Sequence, residues 1–211
     1  MYTNVNLAAP IGALALLGTG GLLFISALVL LESLVVRKRT RAGVVFMVMV
    51  MIGGLYLLIM LGFSIGSHDQ LLARGEEKHF CELDCHLAYS VVNTQPTKTN
   101  GAETSQTIIT IKTRFDETTI APWRGNGLLY PNGRALRLVD DHGNTYGPVA
   151  QSGTPLTAPL RPGEFYTTDV VFNLPPKTKP TALLLNEDAW ETRLLIGHEN
   201  SLLHGKTKFQ I

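Results

Sequence analysis

Several things are scarce in this chain of 211 residues, and each scarcity excludes a class of protein. Lys and Arg number 18 against 17 Asp and Glu, a formal net charge of +1. The dense cationic face of a nucleic-acid binder is therefore missing, and nucleic acid is not an expected partner. Two cysteines are too few for a disulfide-built fold, or for a four-thiolate zinc site without other ligands. No G-x-S-x-G elbow surrounds Ser201, so the cluster His198, Glu199, Ser201 and His204 does not read as a hydrolase. With 45% hydrophobic residues, the chain is not an acidic disordered tail either. The most informative scarcity is local. No charged residue occurs from Leu7 to Leu31, and none from Ala42 to Gly66.

These two uncharged runs are long enough to matter. At 1.5 Å per residue, roughly 20 apolar residues cross a bilayer core of about 30 Å. Residues 1–66 are expected to form a transmembrane helical hairpin, with spans over about 8–31 and 43–66. Only helices or closed barrels satisfy the backbone in hydrocarbon. The start, MYTNVNLAAP, has no Lys or Arg, so the first run reads as a retained span rather than a signal peptide. Gly62 and Gly66 have GxxxG spacing, expected to serve a contact inside the hairpin. The connector places Arg37, Lys38, Arg39 and Arg41 between the runs. Short loops rich in Lys and Arg stay cytoplasmic. The loop 37–41 is thus expected inside, with the N-terminus and everything after residue 66 extracytoplasmic, on the plasma (inner) membrane of a cell.

After residue 66 the pattern changes. Residues 67–85 read as a polar neck, and residues 86–211 as one domain of short alternating segments. Ile109, Ile111, Thr113 and Phe115 alternate with Thr110, Lys112 and Arg114; Tyr166, Thr168, Val170, Phe172 and Leu174 alternate with Phe165, Thr167, Asp169, Val171 and Asn173. Period two with one polar face predicts half-buried strands. Turn chemistry separates them at Pro131–Gly133, Asp141–Asn144, Arg161–Glu164 and Pro175–Pro176. About seven strands in such a length predict an antiparallel β-sandwich. The fold class expected is therefore an α+β membrane protein, a two-helix anchor followed by an antiparallel, immunoglobulin-like sandwich. Trp190 is expected in its core.

Three stretches carry a resemblance: D-x-x-G-x-x-Y over Asp140–Tyr146, L-x-P-G-E over Leu160–Glu164, and V-V-F-x-L-P over Val170–Pro175. Together they are similar to the telokin-like, immunoglobulin-like domains of unknown function in bacterial extracytoplasmic proteins, across about residues 86–211. The resemblance implies the sandwich and a partner-binding or scaffolding role. It brings no catalytic residues.

Chemistry is densest at His79-Phe80-Cys81-Glu82-Leu83-Asp84-Cys85-His86. On an extended strand the two thiols would lie about 13 Å apart; in a helical turn they would be about 6 Å apart. They act together only if the chain turns there. An oxidising compartment and an even count make a Cys81–Cys85 disulfide one reading. Thiolates with imidazole also suit copper. The C-x3-C spacing, with two spans ahead of a sandwich, resembles cytochrome oxidase subunit II. That resemblance implies copper held by Cys81, Cys85, His79 or His86, with His198 or His204 completing the set. Its copper motif lies late in the sandwich, however, with a His four residues after the second Cys, where this chain has Tyr89. Covalent haem on C-x3-C-H, with His86 as axial ligand, and structural zinc are further readings.

Outside that segment, Asp140, Asp141 and His142 are expected to form a solvated hairpin tip. Residues 116–133 form a long loop whose Trp123 and Tyr130 are candidates for partner binding, or for an aromatic lid on the sandwich. The expected function is non-catalytic: an accessory or interaction module in a membrane complex, without cofactor, whose partners are the bilayer and another membrane protein. The alternative is a copper-binding or electron-transfer protein serving a respiratory complex.

Overall fold

The computed structural model describes residues 8–80, 86–97, 105–119 and 124–211. Two long helices come first, α1 over Ala8–Val35 and α2 over Arg39–Ile65. The turn between them is only Val36–Lys38, so Arg39 and Arg41 belong to the first turn of α2 rather than to a five-residue loop. Arg37 takes the left-handed conformation there, at φ 56°. Arg41 reaches Glu32 at 3.4 Å across the hairpin, an exposed pair that contributes little to stability.

Ten strands follow among the described residues: β1 (Gln70–Leu72), β2 (Lys78–Phe80), β3 (Leu87–Thr97), β4 (Ser105–Phe115), β5 (Arg134–Asp140), β6 (Thr145–Tyr146), β7 (Pro148–Gly153), β8 (Phe165–Leu174), β9 (Pro180–Glu187) and β10 (Thr207–Gln210). They make two five-stranded sheets, ordered β1-β10-β9-β5-β6 and β2-β3-β4-β8-β7. Every pairing between these strands is antiparallel except β1 with β10, which is parallel. The fold is a β-sandwich, antiparallel-rich rather than purely antiparallel.

The expected alternation decides the core. On β4, Ile109, Ile111, Thr113 and Phe115 are buried while Thr110, Lys112 and Arg114 are half-exposed. On β8, Thr168, Val170, Phe172 and Leu174 are buried. They meet Leu136, Leu138, Leu183, Leu185 and Phe209 of the other sheet. Gly163 supplies the turn into β8: at φ 81° it holds a conformation most side chains avoid. Its N–H donates to the Phe115 carbonyl at 3.1 Å.

Four expectations are corrected. The neck is not outside the domain, because residues 70–72 and 78–80 add a strand to each sheet; three residues are too few to show a period. The chain also divides differently. One compact unit holds Asp69–Asp188 and Lys206–Ile211, while Ala189–Gly205 belongs with the helices. Trp190 accordingly is not a core residue but 64% exposed. Gly62 has open space around its α-carbon, so it makes no close helix contact. On α1, Gly12 does make a close contact: an added methyl there would lie 2.3 Å from the Ile196 carbonyl oxygen.

Truncating Phe172 to Ala removes a fully buried ring and is expected to cost about 3–5 kcal/mol. Phe165→Ala, at an exposed position seven residues earlier on the same strand, should cost less than about 1 kcal/mol. Denaturant unfolding of the two detergent-solubilised variants checks the difference.

Candidate functional site

Strand pairing gathers the polar residues at one corner of the second sheet. His79 of β2 lies opposite Ala88 of β3, and Ala88 lies opposite Arg114 of β4. Alternation puts all three on the outer face of the sheet. Ala88 is small enough for the side chains on either side to approach across it. Glu77, just before β2, takes a bidentate grip from Arg114: Nε donates to Oε1 at 2.8 Å and Nη2 to Oε2 at 2.7 Å. Asp116, just after β4, faces His79 Nε2 at 3.2 Å and Arg114 Nη2 at 3.2 Å.

Burial gives these contacts their weight. The His79 side chain is 1% exposed and that of Asp116 is 0% exposed. Burial alone would raise the Asp116 pKa. Donation from the Thr118 hydroxyl and N–H, from His79 and from Arg114 overrides it and holds the carboxyl at about 2. The Arg114 guanidinium likewise keeps Glu77 below the ordinary carboxylate range, and Glu77 in turn raises Arg114. His79 Nδ1 is buried with no hydrogen-bond partner among the described residues.

The opposite face of the same corner is also polar. Lys78 points into the sandwich and donates to the Leu185 carbonyl at 2.6 Å, Asn186 Oδ1 at 3.1 Å and the Thr207 carbonyl at 3.2 Å. All three belong to the other sheet, so the ammonium ties the layers together. Arg134 lies over the Phe80 ring at 4.2 Å and donates from Nε to the Tyr89 hydroxyl at 3.3 Å. These cations lie against aromatic faces, where the ring quadrupole favours positive charge.

Among the described residues, two groups of His and carboxylates bring ligand atoms within 4.8 Å of one another: Glu77–His79–Asp116 and Asp140–Asp141–His142. The second is the expected hairpin tip. Asp140 accepts from the N–H groups of His142 and Asn144, from Asn144 Nδ2 and from the Tyr146 hydroxyl. Burial would raise its pKa, but the Asn144 and Tyr146 hydrogen bonds prevail and set it at about 2. Its oxygens fasten the turn. In the first group Arg114 already occupies both carboxylates.

Of the residues predicted from sequence, Cys81, Cys85 and Trp123 lie outside the described residues. His86 is buried, stacked on Phe115 with ring centroids 5.5 Å apart. His198 and His204 belong to the unit of the helices. His198 Nδ1 accepts from the Asn200 N–H at 3.0 Å, and His204 Nδ1 lies 2.8 Å from the Gly205 carbonyl. Tyr130 is 65% exposed, beside the bridge between Leu129 and Leu160. Glu77, Lys78, Arg114, Asp116 and Arg134 were not anticipated. The only hint was the dense charge of Glu76-Glu77-Lys78-His79.

No protein-family model matches the chain, and no curated protein matches it. Among solved structures it is similar to a crystal structure of an uncharacterized beta-sandwich protein from Clostridium difficile 630. The identity is 9% and the TM-score 0.41, covering 69% of this chain and 95% of that one.

The Asp116 pKa, lowered from 3.8 to about 2, fixes a pH dependence. A depressed carboxylate contributes stability above its unfolded pKa, and the contribution is lost as pH falls through the folded value. The Asp116 contribution, roughly 2 kcal/mol, should therefore fade between pH 3.8 and about 2. Asp116→Asn should melt lower at neutral pH, and the gap from the parent protein should narrow across that window. Thermal melts over a pH series check this; a constant gap counts against the assignment.

Proposed function

We propose that this chain is a membrane-anchored sandwich module. α1 and α2 cross the bilayer, the Val36–Lys38 turn and its basic flanks lie in the cytoplasm, and the sandwich is extracytoplasmic. The observation that carries this is the exposure of the helices. The spans Ile11–Val35 and Arg39–Ile65 have mean hydropathies of 2.4 and 2.7, and almost none of either is covered by the rest of the chain. In water such surfaces would collapse on one another or aggregate; in lipid they are solvated. The basic turn then sets orientation.

The role we assign is interaction rather than turnover. His79 and Asp116 are buried, and the partly exposed Glu77 and Arg114 are engaged with each other, which leaves a substrate little access. The exposed features belong to recognition. The edge strand β7 is exposed along its whole length, and an open edge is a template for another chain. Tyr130 and Leu128 add exposed apolar surface. Another membrane protein is the expected partner.

One observation favours a second reading, copper. A metal-binding imidazole characteristically turns one nitrogen to a carboxylate and the other to the ion. His79 has Asp116 at Nε2, and its Nδ1 has no partner among the described residues, two residues before Cys81. In this reading Cys81, Cys85, His79 and His86 supply the ligands, and the protein serves a respiratory complex in metal delivery or electron transfer.

Impermeant maleimide on intact cells tests the orientation. In a Cys81→Ser/Cys85→Ser background, His142→Cys should label from outside and Lys38→Cys only after permeabilisation; the reverse pattern overturns the proposal. Metal analysis of protein purified under reducing conditions tests copper. Bound copper should fall on His79→Ala, and its absence from the parent protein removes the second reading.

A further inference from the structure

Residues 189–205 leave the sandwich between β9 and β10 and pack with the two helices. The Tyr56 hydroxyl donates to the Leu194 carbonyl at 2.6 Å. Tyr56 lies nine residues before Ile65, roughly 13 Å of helix axis inside the end of α2. The backbone of Ile196 touches α1 at Gly12, where no side chain fits. The Gly205 N–H donates to Ser67 Oγ at 2.7 Å. The segment therefore runs beside the hairpin instead of stopping at its end.

Its backbone is closed on itself. The N–H groups of Thr192, Leu195, His198, Ser201 and His204 donate to the carbonyls of Ala189, Thr192, Leu195, His198 and Ser201, one turn after another at a spacing of three. Side chains take up more of the polar groups. Thr192 Oγ1 donates to the Ala189 carbonyl, Ser201 Oγ to that of Leu195, and Asn200 Nδ2 to Thr192 Oγ1. Irregular backbone at membrane depth is tolerated only when its polar groups are satisfied within protein, and here five N–H groups are answered inside the segment while Tyr56 and Ser67 answer Leu194 and Gly205.

Its apolar side chains face the other way. Trp190, Leu194, Leu202 and Leu203 are exposed. Leu203, at 74% exposure, has φ 62°. A leucine is strained in the left-handed region, which glycine or asparagine adopts more readily. Tryptophan is the residue enriched at the boundary between headgroups and acyl chains.

We infer that residues 189–205 form an interfacial wedge, in which Trp190, Leu194, Leu202 and Leu203 enter the leaflet on the sandwich side while the backbone stays satisfied against α1 and α2. The occupant is lipid, because the segment lies against the two apolar helices at Tyr56 and Gly12, within the lengths proposed to span the bilayer. This inference rests on the reading that the helices span a membrane.

The test uses the full chain reconstituted in vesicles, with brominated lipid as the probe. In Trp123→Phe, Trp190 is the one tryptophan. Its emission should shift to the blue, lose most of its intensity to brominated lipid, and resist aqueous iodide. A second variant, Trp123→Phe/Trp190→Phe/Phe24→Trp, moves the single indole into α1 and reports on that helix alone. Quenching of this introduced indole by lipid, with Trp190 open to iodide in the first variant, overturns the wedge and leaves the anchor standing. Trp190 shielded from both quenchers means a protein covers it, which also overturns the wedge. If lipid quenches the indole in neither variant, the anchor reading fails with it. Leu203→Cys carrying a nitroxide gives an independent measurement: slowed motion and oxygen access support the wedge, and free motion with access to a water-soluble nickel complex overturns it.

Discussion

The paired hydrogen bonds between Arg114 and Glu77 are the contact on which the geometry of the corner site depends. β2 is three residues long and sits at the edge of its sheet. Its three rungs with β3 are a weak hold. The guanidinium reaches over Ala88 to grip Glu77 on the same segment, fastening β2 to the long central strand β4. With the strand held, alternation does the rest. His79 is set against Asp116 on one face, and Lys78 and Phe80 turn inward on the other. Two carboxylates share the one guanidinium. The Arg114–Glu77 pair is only partly exposed, at 21% and 24% of the two side chains, so water screens it less than it would a pair on the open surface.

The parts of the fold that could be read from the sequence are those where many residues repeat one instruction. β4 and β8 alternate over ten or more positions, and Asp141–Asn144 has turn chemistry that needs no context. The helices were equally plain, since charge is absent for 25 residues at a time. β1 and β2 could not be read, because a three-residue strand has no period and is specified by its neighbours. The corner site was half legible. His79 stands out, but its partner Asp116 lies 37 positions away, and Arg114, which holds Glu77 and Asp116, lies 35 away. Arg114 looked like an ordinary solvent-facing residue of an alternating strand. Lys78 and Arg134 defied the binary pattern, because carbonyls and aromatic rings at the end of the core give their charges a place inside. Trp190 misled for a related reason: its size argues for burial, but the segment that carries it leaves the sandwich.

The two units solve one physical problem differently. Within the sandwich, buried charges are answered by specific partners, as at Lys78 or Asp140. Along the helices, the backbone is answered internally and the side chains need no answer from the protein. Residues 189–205 combine the two solutions, with a backbone sealed by repeated turns and apolar side chains turned outward. That combination makes the segment suited to a boundary between water and lipid.

The parallel pairing of β1 with β10 carries a consequence for biogenesis. β1 has no other neighbour among the described strands of its sheet, and its partner lies 137 residues later, Gln70 opposite Thr207. Long separations in sequence make such pairings slow. Synthesis proceeds from the N-terminus at about 5–20 residues per second, so β1 emerges seconds before the strand it must join. Throughout that interval the first strand waits without its native neighbour, and a chaperone has its opportunity to hold it.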